Sequence, residues 1–211
     1  MISEISISIR RETEADHFAV ENLTREAFWN VYRPGCTEHY VLHKFRSSPD
    51  FIPELDLVME SDGHIIGHIM YVRSKILTPD GAIPIVTFGP VSIAPDLKRR
   101  GYGKKLVDYS LKKAAEFAGA VAITGNIAFY GKCGFVTGSS KGIHYAYAEP
   151  DDDIVPYFLV KELKPGFLSG VSGTFSDPEG YLVAESDPED FERFDSLFPP
   201  KEKLKLPGQL G

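Results

Sequence analysis

Between Leu55 and Thr124 the order of elements leaves little freedom of fold. Leu55, Leu57 and Met59 fall two apart, the period of a half-buried strand. Asp62-Gly63 is a hairpin turn, and His64 to Leu77 reads as a long strand. Pro79-Asp80-Gly81 turns the chain again, into a third strand from Ile83 to Ile93 rich in β-branched residues. A helix follows from about 100 to 118, its buried face carried by Leu106, Val107, Ser110, Leu111, Ala114, Ala115 and Ala118. Gly119 ends it, and Ala120 to Thr124 is a short apolar strand. A helix between two strands makes a crossover, which places the second strand parallel to the first. An antiparallel meander leading into one parallel crossover predicts an α+β (α/β) fold with a mixed, mostly antiparallel sheet.

The joint between meander and helix is Val91-Ser92-Ile93-Ala94-Pro95-Asp96-Leu97-Lys98-Arg99-Arg100-Gly101-Tyr102-Gly103-Lys104. Pro95 and Asp96 stop the strand, Arg99 and Arg100 bring positive charge, and Gly101 and Gly103 let another molecule approach the backbone. The helix start supplies N–H groups without intrahelical partners at the positive end of the dipole. Together these describe a phosphate site, most simply for a pyrophosphate. A ligand-free basic turn capping an amphipathic helix is the plainer alternative. A P-loop is excluded, since Lys98 stands where its first Gly belongs and Lys105 where its Ser or Thr belongs. A dinucleotide fingerprint is excluded by Leu106 at its third Gly.

Lys98-Arg99-Arg100-Gly101-Tyr102-Gly103 resembles the Gln/Arg-x-x-Gly-x-Gly/Ala acetyl-CoA signature of the GNAT superfamily of N-acetyltransferases, with Lys98 departing from the usual Gln or Arg. A second stretch, Gly125-Asn126-Ile127-Ala128-Phe129-Tyr130-Gly131-Lys132-Cys133-Gly134-Phe135, resembles that family's Asn, short Tyr-bearing helix and Gly-Phe strand opening. The two lie one helix and one strand apart, as in the family. The resemblance spans roughly residues 54 to 136 and implies the GNAT fold, with acetyl-CoA as acetyl donor and no metal. It implies that Arg99, Arg100, Gly101, Tyr102, Gly103 and Lys104 hold the pyrophosphate, with Asn126 and Phe129 also at the cofactor. Gly89-Pro90 marks an edge or bulge in the strand before the turn. In the family a bulge here splays the strand, and Val91, Ser92 and Ile93 are then expected to pair with the pantetheine arm. An edge strand with a tolerated proline is the alternative.

Upstream, Ile2, Ile5, Ile7 and Ile9 predict a strand, and Thr13 with Asp16 begins a helix near a capping box. Pro34-Gly35 breaks the chain before a second helix from Thr37 to about Arg46. His39 and His43 share a face of that helix; a metal pair lacks a third ligand, and an edge facing the substrate fits the resemblance better. Downstream, Val155 to Leu163 reads as a strand, Tyr181 to Ala184 continues a run of short extended pieces, and Asp187-Pro188-Glu189 opens a helix. Lys201 to Lys205 reads as a surface tail, and Asp151-Asp152-Asp153 as a solvated turn or a rim for a cationic amine. The division expected is a GNAT domain over 1–148 and a packed extension over 149–211, similar to that of a YhbS-type bacterial subgroup.

A net charge of −7 argues against nucleic acid as partner, and no apolar run reaches membrane length. Cys36 and Cys133 form no disulfide framework and fit a reducing cytoplasm, and Met1-Ile2-Ser3-Glu4 is no signal peptide. The oligomeric state is open, a homodimer included.

The reaction the resemblance implies is direct attack of an amine, on a small molecule or peptide, at the thioester. Tyr130 matches the family's acid, able to protonate the leaving thiolate, although packing the short helix would also account for it. A strand amide near Ile93 could stabilise the oxyanion. From Ile83 to Ile93 there is neither Glu nor His to serve as base. Glu54, Asp56, His68 and His144 remain as candidates, as does an amine arriving already deprotonated. Cys133 reads as a buried structural thiol rather than a ping-pong nucleophile. A non-catalytic acyl-CoA-binding or sensing module is the competing function.

Overall fold

The computed structural model describes residues 6–148 and 154–209. Ile2, Ile5 and the Asp151-Asp152-Asp153 run lie outside the described residues. Strand β1 (Ile7–Arg11) is followed by helices α1 (His17–Phe28) and α2 (Glu38–Phe45). The meander is β2 (Leu57–Ser61), β3 (His64–Thr78) and β4 (Gly81–Ile93). Helix α3 (Tyr102–Ala114) crosses to β5 (Ala120–Thr124), and a one-turn helix α4 (Ile127–Tyr130) comes next. The rest is β6 (Val136–Thr137), β7 (Ile143–Tyr145), β8 (Phe158–Glu162), β9 (Gly173–Phe175), α5 (Val183–Ser186) and α6 (Pro188–Asp195).

One sheet runs β1-β2-β3-β4-β5-β8-β6, with β9 joining β3 and β7 joining β9. Its pairs are antiparallel except β4 with β5 and β7 with β9. Alternation along the strands sends side chains to opposite faces. Ile69, Tyr71, Val86, Phe88, Val121 and Ile123 meet Leu106, Val107 and Leu111 of α3. Val58, Met70 and Val72 meet Val20 of α1 with Val41, Leu42 and Phe45 of α2. A side chain as fully buried as Leu106 contributes about 2 kcal/mol by removal from water.

Helix α3 is shorter than its apolar pattern predicts. Arg99 has φ 63° and Gly101 φ 89°, both left-handed, so the right-handed helix starts only at Tyr102. At the other end Glu116 and Phe117 bond three residues back, to Lys113 and Ala114, and the helix tightens before Gly119. Tyr181 to Ala184 is not extended: Glu179–Leu182 is a 3-10 turn running into α5. The Lys201 to Lys205 segment lies on the surface but is tied to the end of α1. Trp29 Nε1 donates to the Glu202 carbonyl at 2.9 Å, and Lys201 pairs with Glu26 at 2.7 Å.

The bulge predicted at Gly89-Pro90 is present. Val91 stands opposite Ile69 and Phe88 opposite Tyr71, so Gly89 and Pro90 together face Met70 alone. Gly89 takes φ 150°, which suits glycine and few other residues. Between β4 and β5 the register holds one pair, Val86 with Val121. Among the described residues no further ladder pair joins the β4 edge to β5.

Candidate active site

The site lies where β4 leaves β5. Ala94 N–H bonds the Ile66 carbonyl on β3. Antiparallel alternation therefore turns the backbone of Ser92 toward β3, opposite His68, and that of Val91 and Ile93 into the gap. Ser92 is thus a correction to the expected pantetheine contacts. Its side chain is fully buried on the helix side, where its hydroxyl donates to Thr24 Oγ1 at 2.9 Å. Val91 and Ile93 are half-buried, their side chains against the α3 core.

The turn that follows is open. The amides of Lys98 to Lys104 donate to no acceptor among the described residues. Lys98 sends its ammonium away, to the Ala27 carbonyl at 2.7 Å, and Arg99 and Arg100 are exposed. A Cβ on Gly101 would meet nothing within 4 Å. One on Gly103 would stand 3.4 Å from the Phe129 ring and 3.7 Å from Ile93, so the start of α3, the end of β4 and α4 converge. Lys104 bonds Asp108 one turn on, leaving its amide as its contribution to the turn. Tyr102 is half-buried against the core. Asn126 caps α4, its Oδ1 accepting from the Ala128 amide at 2.8 Å, with its side-chain NH₂ donating to nothing among the described residues.

Tyr130 closes the opposite wall. Its ring packs against Phe88 at 5.8 Å, Phe129 at 4.8 Å and Phe135 at 5.6 Å. The hydroxyl has no partner among the described residues and is not sealed from solvent. Burial, with the nearby Tyr32 and Cys133, pushes its pKa well above the ordinary phenol value, so it stays protonated. Cys133 is buried and its thiol is pushed up in turn, chiefly by burial, which fits an inert side chain.

One residue here carries no local sequence signal. Tyr181 donates its hydroxyl to the Gly89 carbonyl at 3.2 Å, inside the bulge. It sits in the site through tertiary packing alone.

The proposed bases are dispersed. Glu54 and His144 are exposed. Asp56 is buried rather than solvent-facing and takes His68 Nε2 at 2.7 Å. Glu12 lies beside them, doubly bonded by Arg46 at 2.7 and 3.2 Å. Glu12, Asp56 and His68 are the metal-type donor group among the described residues, with ligand atoms within 4.8 Å of one another. Arg46 already supplies the positive charge that a cation would bring. His39 and His43 are each engaged by a carboxylate. His39 is buried, its Nε2 on Asp195 at 2.9 Å, and His43 bonds Glu21 at 2.9 Å. Helix α6 covers the edge expected to face a substrate, with Phe194 against both rings.

Comparison with known proteins bears on the fold and the family. A search of the curated proteins finds no match. The solved structure of a GNAT family N-acetyltransferase, YhbS from Escherichia coli, in complex with CoA, is similar over 86% of this chain and 94% of that one. The TM-score is 0.72 and the identity 21%. A GNAT family acetyltransferase from Brucella melitensis in complex with acetyl-CoA gives 0.66 and 22%, over 84% and 99%. Chaetomium thermophilum Naa20 with a bisubstrate analogue gives 0.52 and 20%, over 74% and 86%. At these identities the likeness is one of fold. The model of the acetyltransferase (GNAT) family matches residues 20–135, from α1 through the basic turn to the Gly-Phe pair. With more than half of its length matched, the chain belongs to the acetyltransferase (GNAT) family.

Proposed function

We propose that the chain transfers the acetyl group of acetyl-CoA to a primary amine of a small molecule or peptide, by direct attack in a ternary complex. The observation that carries this reading is the row of unpartnered amides at the head of α3, set beside a β4 edge that β5 has left. The amides of Arg99 to Lys104 bind the diphosphate at the positive end of α3, with the Arg99 and Arg100 guanidiniums adding charge. Val91 and Ile93 offer the pantetheine arm a strand edge to pair with. One of their outward N–H groups stabilises the oxyanion. The amine nitrogen forms the new C–N bond and loses a proton to water. The C–S bond breaks, and the Tyr130 phenol passes its proton to the departing thiolate. A proton from solvent restores the phenol.

No carboxylate or imidazole stands on β4 between Ile83 and Ile93. This bare edge favours a second reading, an acyl-CoA sensor without catalysis. Purified protein, acetyl-CoA and a panel of amines, with free thiol followed, separates the two. Thiol release that depends on an amine is expected, and its absence throughout the panel overturns the enzyme reading. Tyr130→Phe is expected to lower kcat about 100-fold while acetyl-CoA affinity holds. Turnover unchanged across pH removes Tyr130 as the acid.

Residues 1–148 then act as the acetyltransferase domain and 149–211 as an extension packed on it, a reading that β8 supports by lying between β5 and β6. Two unpaired, buried cysteines favour the cytoplasm as compartment. No helix among the described residues is long and apolar enough to cross a membrane.

A further inference from the structure

Asp195, Asp190, Glu21 and Glu162 are each partly or largely buried, and each has a cation: Arg25, Lys44, Arg46 and Lys141. Asp177 has none among the described residues. Its hydrogen-bond partner is the hydroxyl of Tyr145, and it forms no ion pair. The Tyr145 ring meets Tyr147 at 5.5 Å and Tyr157 at 5.9 Å, both edge-on, and stacks on Phe158 at 5.1 Å. Tyr147 is 58% exposed and Tyr157 48% exposed. A half-desolvated carboxylate without countercharge is costly, and the cost falls when a cation arrives. Aromatic faces beside it attract the same charge.

This aromatic cluster is tied to residues of the cleft at two points. The Tyr157 carbonyl accepts the Gly125 amide at 2.7 Å, and Gly125 carries the Tyr130 ring. Tyr181, four residues after Asp177, bonds Gly89 in the bulge of β4.

We infer that Asp177, with Tyr145, Tyr147 and Tyr157, forms an acceptor subsite for a second ammonium group. The acceptor is then an amine that carries another positive charge at a distance from the nitrogen acetylated. The inference rests on the N-acetyltransferase reading and names the substrate class of that same site. The ammonium could belong to an aliphatic polyamine or to a basic peptide side chain.

Calorimetry on the CoA-loaded protein tests it without needing turnover. Spermidine and 1,4-diaminobutane are compared with butylamine, and glycyl-lysine amide with glycyl-norleucine amide. At least one multiply charged ligand is expected to bind about tenfold more tightly than its singly charged counterpart, and which set shows this names the source. Asp177→Asn is expected to abolish the preference while CoA affinity stays within about twofold. Should Asp177→Asn fail to fold by circular dichroism, Tyr147→Leu, at an exposed position, is expected to reduce the preference about threefold. Equal binding of both charge classes to the unaltered protein, or a preference that survives in the folded variant, overturns the subsite. Thiol release from neutral monoamines in that event leaves the acetyltransferase reading standing. Loss of CoA binding by the unaltered protein, or no thiol release with any amine, strikes that reading instead.

Discussion

Gly125 lacks a side chain at a point where Tyr130 already fills the space. A Cβ there would lie 2.4 Å from the Tyr130 ring, and Phe88, Phe129 and Phe135 leave that ring little room to yield. Gly125→Ala is therefore expected to cost about 1–3 kcal/mol in urea unfolding, the usual range for overpacking. It should lower kcat more than it raises the KM for acetyl-CoA, because the amides of the turn are untouched. Equal loss in both would place the damage elsewhere. Single residues also decide what could be read from sequence here. The positions of Gly101, Gly103, Phe129 and Tyr130 were legible because they depend on a local turn and a one-turn helix. Ser92 was not, since the direction its backbone and side chain face depends on register with β3 and on Thr24 of α1.

At the scale of elements, the meander, the bulge and the parallel crossover were written in local pattern and turn chemistry. The insertion of β8 between β5 and β6 was not, because long-range pairing leaves no periodic trace. Nor was the helical turn before α5, where Tyr181 packs on Phe45 at 4.9 Å and the neighbouring side chains show no period. What holds the C-terminal elements is electrostatic as well as apolar. Arg25 of α1, fully buried, donates to Asp195 of α6 at 2.7 and 3.3 Å and to the Pro199 carbonyl at 3.0 Å. His39 of α2 shares the same carboxylate, while Tyr40 and Lys44 hold Asp190 at 2.6 and 2.8 Å. Asp195→Ala leaves Arg25 and His39 buried without their acceptor. A loss of about 3–5 kcal/mol is expected in denaturant unfolding, as for other broken buried pairs. Asp195→Asn, which keeps one acceptor oxygen, should cost less. Equal costs would show that the charge of Asp195, rather than its shape, carries the contact.

At the scale of the whole molecule, one buried network joins the first three strands to both N-terminal helices. Arg46, just past α2, grips Glu12 after β1 and Glu21 of α1, and Glu12 lies against Asp56 before β2 and His68 of β3. Burial, then the Asp56 carboxyl, pushes the Glu12 carboxyl up to about 7 from an ordinary 4.5, against the pull of His68 and Arg46. Burial pushes His68 down to about 4 from 6.5. The two shifts oppose each other in stability. The contribution of Glu12 is present below its unfolded value and is lost as pH rises through about 7. That of His68 is present above its unfolded value and is lost as pH falls through about 4. Between pH 4.5 and 6.5 the native chain holds one proton on Glu12 while the unfolded chain holds one on His68, so their slopes cancel. Glu12→Gln removes one side of that balance. His17, which Glu12 influences, and Glu21, which shares Arg46 with it, are present in both proteins. Stability of the unaltered chain minus that of Glu12→Gln, from urea unfolding at several pH values, should fall by about 1.4 kcal/mol per unit over this window. A difference that stays flat would mean that Arg46 keeps Glu12 ionised, and that the folded network carries no proton there.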